Sequence, residues 1–292
     1  MALSHEVDLQ AMAFAVLAAA LFGAALVTTR SGLRHMTALS GARVSIPAAT
    51  ALFWLLAPSI DMSGWQASAA GVFAVVGIFF PAAVTLLTFE ANRRLGPTVA
   101  GTLGSTAPLF AVLAAALFLG EPLGTRQVVA TAIIVLGTMV LSTRREGGVS
   151  LQSRAVLWLP LSAAALRALA QVLSKAGLAL WPNPFAAVLV GYSVSAAAIW
   201  MATLFGRRRA FVFSGRGVLW FMLTGALNGT AVLSMYGALN TGPVHIVSPI
   251  VATYPVFTLA LGTLVLRQER LSRKLAAGVG LTVAGVVMLL IR

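Results

Sequence analysis

The chain has 292 residues, 59% of them hydrophobic and only 9% charged, with a mean hydropathy of +0.95. A water-soluble surface needs roughly a quarter of its residues charged, so lipid must be the solvent for most of this one. The net charge of +13 does not point to nucleic acid, because the basic residues sit in short runs between apolar stretches, and the lack of cysteine excludes disulfides, thiolate metal sites and a Cys nucleophile.

A spanning helix needs about 20 mostly apolar residues. In chain order the sequence offers 10–29, 38–58, 68–92, 97–119, 124–143, 155–177, 184–205, 215–239, 243–266 and 272–291. The opening residues lack the basic start and small-residue cleavage site of a signal peptide, so the first stretch reads as a retained helix. Turn signals fall between spans at Gly96-Pro97, Glu121-Pro122-Leu123-Gly124, Gly147-Gly148, Pro182-Asn183-Pro184 and Thr241-Gly242-Pro243. The linkers are short, and an even number of spans puts both termini on one side of the membrane.

The basic residues set the orientation. Arg30, Arg34, Arg93, Arg94, Arg144, Arg145, Arg154, Arg207, Arg208, Arg209, Arg216, Arg267, Arg270, Arg273 and Lys274 follow odd-numbered spans, whereas the other face has only Arg126, Lys175 and Arg292 and carries Glu6, Asp8, Asp61 and Glu121. This bias places both termini outside.

The chain also repeats itself. Ala19-Ala20-Leu21, Thr29-Arg30 and Gly32-Leu33 recur as Ala164-Ala165-Leu166, Ser174-Lys175 and Gly177-Leu178. Gly96-Pro97 recurs as Gly242-Pro243, Pro108 as Pro255, Glu121 as Glu269 and Gly137 as Gly285. Each half, 1–148 and 149–292, holds five spans, an odd number, so the second enters the membrane inverted. The expected fold is an all-α membrane protein of ten transmembrane helices, two inverted five-helix repeats around a central cavity, an arrangement suited to alternating access.

The run Gly96-Pro97, Pro108-Leu109-Phe110, Leu119-Gly120-Glu121-Pro122-Leu123 and Gly137 resembles the EamA repeat of the drug/metabolite transporter superfamily. The second copy reads Thr241-Gly242-Pro243, Tyr254-Pro255-Val256-Phe257, Gln268-Glu269-Arg270-Leu271-Ser272 and Gly285. Arg43 is similar to the arginine that opens helix 2 of the first repeat; the second half departs, with Gly191-Tyr192 there. The resemblance covers nearly the whole chain and implies a ten-helix basket in a bacterial inner membrane. It further implies export of small metabolites, with the chain most similar to amino-acid exporters of the aromatic type. It also implies cytoplasmic termini, against the charge bias.

Ionisable groups inside a membrane are costly and mark function. Arg167 falls near the middle of its span, with Gln171 at i+4 and Ser174 at i+7 on the same face. Arg167 either pairs with a substrate carboxylate while Gln171 orients it, or satisfies backbone carbonyls and snorkels. Pro108 and Pro255 lie mid-span at matched positions, and Pro249 adds a second break; paired interruptions point to a binding site. Beside them sit Thr102, Ser105 and Thr106, and His245, Ser248, Thr253 and Tyr254, lining a cavity or capping freed carbonyls. Asn228 should line the cavity or cross-link helices, and Tyr236, Tyr254 and Phe80 either stack on a substrate ring or pack. Trp54, Trp158, Trp181 and Trp220 read as an interfacial belt, Glu90 as a local partner of Arg93 and Arg94, and Gly278, Gly280 and Gly285 as close-packing positions.

These features predict a carrier that takes an amino acid or similar amphipathic metabolite, with lipid as its surroundings. It acts as a monomer or weak dimer, without cofactor, metal or nucleic acid. No acidic residue falls mid-span, so facilitated export without proton exchange is expected. Another metabolite class (nucleoside, phosphorylated sugar, drug), a channel and a lipid-handling protein are the alternatives. Neither HExxH nor GxSxG occurs, which argues against an enzyme.

Overall fold

The computed structural model describes residues 2–142, 156–205, 214–266 and 273–290. These are helical nearly throughout. In order they form α1 (Ala2–Gly32), α2 (Ala38–Leu56) ending in a 3-10 turn (Ala57–Ser59), α3 (Ala67–Phe79), α4 (Ala82–Gly104), α5 (Ala107–Leu119) and α6 (Thr125–Ser142). Then follow α7 (Trp158–Leu180), α8 (Pro184–Phe205), α9 (Gly215–Thr241), α10 (Val244–Val251), α11 (Tyr254–Leu266) and α12 (Arg273–Leu290). The Gly147-Gly148 linker, the basic residues at 144, 145, 154, 207–209, 267 and 270, and Glu269 lie outside the described residues.

Among the described residues, seven helical stretches are long and apolar enough to cross a membrane: Leu9–Gly32, Ala38–Ser59, Ala67–Thr88, Trp158–Leu180, Pro184–Met201, Gly215–Thr241 and Val244–Leu261. Ala107–Leu119, Thr125–Val140 and Ala276–Leu289 are shorter apolar helices. The outer surface is equally apolar. Leu55, Leu117 and Phe118 are 80%, 79% and 72% exposed, side chains that water would drive inward and lipid does not.

Interruptions of the helices shape the bundle, and several differ from the sequence expectation. The 68–92 span is broken by a cis Phe80-Pro81 peptide, between α3 and α4. The expected turn at Gly96-Pro97 is absent: α4 runs helically through it to Gly104. A proline removes only one donor, and neighbouring helices can satisfy the freed carbonyl, so a Gly-Pro pair need not end a membrane helix. Pro249 likewise lies inside α10 without ending it. The break comes at Ala252-Thr253, immediately before α11, whose first turn holds Pro255.

The other turns follow their residues. Gly120 adopts φ +64° to close α5, a left-handed conformation that favours glycine. Asn183 caps α8, its Oδ1 accepting from Ala186 N at 3.0 Å, with Pro184 as the first helical residue.

First-half helices pack largely on second-half helices: α1 on α9 and α11, α2 on α9 and α8, α3 on α8, α4 and α5 on α7, and α6 on α12. Hydroxyls tie this interface: Thr28 to Thr224 (2.8 Å), Thr50 to the Tyr192 carbonyl (3.1 Å) and Ser195 to the Gly77 carbonyl (2.5 Å). On α6 and α12, a Cβ at Gly137 would meet Thr282 Oγ1 at 2.5 Å and one at Gly285 would meet Ile134 Cγ1 at 2.7 Å. Gly280 faces open space instead. Gly285→Val is therefore expected to cost about 1–3 kcal/mol through overpacking, read as a lower Tm in detergent, whereas Gly280→Ala should leave Tm unchanged.

Three of the four expected belt tryptophans are exposed: Trp54, Trp158 and Trp220. Trp181 is a correction. It is 2% exposed, packs edge-on against Trp65 (5.2 Å between centroids) and donates from Nε1 to the Ser63 carbonyl at 3.0 Å. Its position at the end of α7 turns the ring inward under the α2–α3 loop, which supplies both contacts.

Candidate functional site

The helix breaks enclose a cavity of about 160 Å³ between the halves. Each break frees backbone groups where lipid could not satisfy them, and threonine hydroxyls take over in matching fashion. Thr106 Oγ1 donates to the Leu103 carbonyl at 2.6 Å and Thr253 Oγ1 to the Ile250 carbonyl at 2.7 Å. The two threonines thus cap freed carbonyls, one of the two roles open to them, and Pro108 and Pro255 each open the helix that follows.

Of the residues singled out from sequence, Arg167, Gln171, Asn228, Ser248, Tyr254, Phe80 and Pro108 line the cavity. Tyr236, His245, Ser105, Pro249 and Pro255 are not among the lining residues. Thr102 is on α4, but its side chain lies outside the described residues. Tyr236, Ser105 and His245 are buried elsewhere in the bundle.

Sequence reasoning passed over Phe22, Ser45, Pro81, Thr85, Thr88 and Tyr192, all in the wall. Two signals were available. Pro81 is a mid-span proline, and Tyr192 stands where the second half departs from the arginine of the first. That arginine, Arg43, is itself buried in α2.

The charge distribution of the wall is simple. Arg167 is its only Lys, Arg, Asp or Glu among the described residues, and among the described residues no carboxylate pairs with it. Gln171 Oε1 and Ser248 Oγ are buried oxygens of the same wall without a hydrogen-bond partner. Around them the lining is mainly apolar, with Phe22, Phe80, Ile46, Val84 and Met235. Such a surface suits an amphipathic solute held at a few polar points.

His245 has a different task. Glu121, from the α5–α6 loop, accepts from the backbone N–H of Val244 (2.8 Å) and His245 (3.0 Å), and its Oε2 lies 2.8 Å from His245 Nδ1. A first-half carboxylate therefore caps a second-half helix, where the helix dipole favours negative charge. Lys175 completes the junction, donating to the Leu239 and Gly242 carbonyls at 2.6 and 3.0 Å, at the end of α9. Burial pushes the Glu121 carboxyl up, but hydrogen bonds from the His245 side chain and the two backbone donors outweigh it and hold the carboxyl below its ordinary value. Within α4, Arg94 pairs with Glu90 one turn away through Nε, the local role expected of Glu90.

An all-helical bundle with an apolar surface, built from two similar halves around an internal cavity, is a multi-pass membrane protein of the kind that carries small molecules. Residues 9–143 and 153–291 each match the EamA-like transporter family, and the chain belongs to that family, within the drug/metabolite transporter superfamily. A solved crystal structure with 20% identity shares the fold, with a TM-score of 0.77 over 95% of each chain. Comparison with curated protein sequences returned no match.

Proposed function

We propose that this protein exports neutral amino acids, aromatic ones included, across a bacterial inner membrane by alternating access. The three shorter apolar helices complete ten spans, and the two family repeats lie inverted to each other. The observation that carries the substrate reading is Arg167, a cation in a mainly apolar cavity with no carboxylate beside it among the described residues. A substrate carboxylate supplies the missing counter-charge, and an apolar side chain fills the wall around Phe22, Phe80 and Tyr254.

Alternating access is supported by the different breaks in the two halves. The first continues through Gly96-Pro97, whereas the second stops at the matching Gly242-Pro243 and caps the next helix with Glu121. Two similar halves in different conformations are what exchange of conformations between repeats requires.

The wall holds no acidic side chain among the described residues, which supports downhill movement without proton exchange. Proteoliposomes test this. Labelled phenylalanine is expected to exchange against unlabelled phenylalanine with no pH gradient. Uptake that requires an imposed gradient contradicts the uncoupled reading. Exchange of nucleosides or phosphorylated sugars in place of amino acids contradicts the substrate class.

A further inference from the structure

We propose that Gln171 and Ser248 form an acceptor subsite for the protonated amino group, so that the substrate is recognised as a zwitterion; this rests on the amino-acid reading above. Both side chains are 2% exposed, and both line the cavity. Gln171 Oε1 and Ser248 Oγ have no hydrogen-bond partner among the described residues. A buried acceptor without a donor is costly. A ligand that brings a donor removes that cost, and one without a donor leaves it in place.

Position selects the kind of donor. Gln171 follows Arg167 by one turn on α7, about 6 Å along the axis, on the same face. A carboxylate on Arg167 therefore puts a group one carbon away within reach of Gln171. Ser248 approaches from α10, which packs on α7. α10 ends at the cavity, where Val251 and Ala252 also line the wall. Helix C-termini carry partial negative charge and favour a cation. No acidic side chain shares the wall among the described residues, so an amine without a carboxylate meets the repulsion of Arg167 and gains no ion pair. Neutral acceptors beside one cation suit a solute that carries both charges.

The experiment is competition against labelled phenylalanine exchange in proteoliposomes. The competitors are unlabelled phenylalanine, 3-phenylpropionate (its deaminated acid), N-acetylphenylalanine and 2-phenylethylamine. For the unaltered protein the three analogues are expected to compete at least about tenfold more weakly than phenylalanine. In Gln171→Met, which keeps the length and loses the acceptor, the gap between phenylalanine and 3-phenylpropionate should narrow to about threefold or less. Competition by 3-phenylpropionate itself should be unchanged. Ser248→Ala should narrow the gap in the same direction, and it tests the subsite independently should Gln171→Met fail to fold in detergent.

Equal competition by phenylalanine and 3-phenylpropionate in the unaltered protein overturns the subsite while leaving Arg167 as the carboxylate anchor. A gap that persists undiminished in the variants overturns it too. Failure of phenylalanine to exchange at all, with labelled nucleoside exchanging instead, overturns the amino-acid reading and the inference with it.

Discussion

Arg167→Ala is expected to lower amino-acid exchange about 10- to 100-fold, while the purified protein melts no lower than the unaltered one. The first half follows from the strength of a charge-assisted hydrogen bond to a half-buried guanidinium, about 1.5–3 kcal/mol, or one to two powers of ten in affinity. The second follows from the missing partner. Arg167 is half-buried and pairs with no carboxylate among the described residues, so its removal takes no ion pair away from the folded protein. If Arg167 instead held backbone carbonyls, alanine would leave those carbonyls bare and Tm would fall. The two measurements together separate the roles, and Arg167→Lys sharpens them. Lysine keeps the charge but not the forked geometry that grips a carboxylate, so exchange should be intermediate. Full activity in Arg167→Ala would sink the assignment.

Glu121→Ala should behave in the opposite way, losing stability and transport together. It strips the acceptor from two backbone N–H groups at the start of α10 and from His245, which is 7% exposed. Unmet donors in such surroundings cost about 1–3 kcal/mol each, so a loss of about 2–4 kcal/mol and a clear drop in Tm are expected. His245, one of the residues expected to line the cavity or cap freed carbonyls, belongs in the structure to this junction, which joins the two family repeats. Lys175 reaches the same junction from α7 through the Leu239 and Gly242 carbonyls.

The junction also predicts a pH dependence. The Glu121 carboxyl is held below its ordinary value of 4.5. The lowered value means that the stabilisation is complete above about pH 4.5 and fades as pH falls through the held value. Thermal unfolding followed from pH 7 down to pH 3 should show this loss. Glu121→Gln, which does not titrate, should flatten the part of the curve that Glu121 contributes. An identical acid limb in both proteins would show that the carboxylate plays no part.

Much of the architecture was legible from residue patterns, because the bilayer imposes a simple demand: long apolar runs whose backbone groups are satisfied within the helix. Matched landmarks such as Pro108 and Pro255 marked places where the structure starts a new helix, and the shared face of Arg167 and Gln171 came from helical spacing alone. The helix ends were harder. A Gly-Pro pair reads as a turn in water, yet Gly96-Pro97 lies within α4, and the break sits at Phe80-Pro81 instead. Local sequence states which donors a proline removes; the neighbouring helices decide whether the freed carbonyl is met.

Sequence by itself determined the solvent, the class of fold, the internal repeat and the presence of one mid-span cation. Tertiary structure alone decided which groups share a space. It put Tyr192, Ser45 and Phe22 into the cavity wall, from helices far apart in the chain. It took His245 and Tyr236 out of that wall and gave His245 to Glu121, 124 residues away. Helical periodicity defines which side of one helix is polar, but not which other helices face it. That depends on how the halves interlock, and the partners of a buried charge depend on it too.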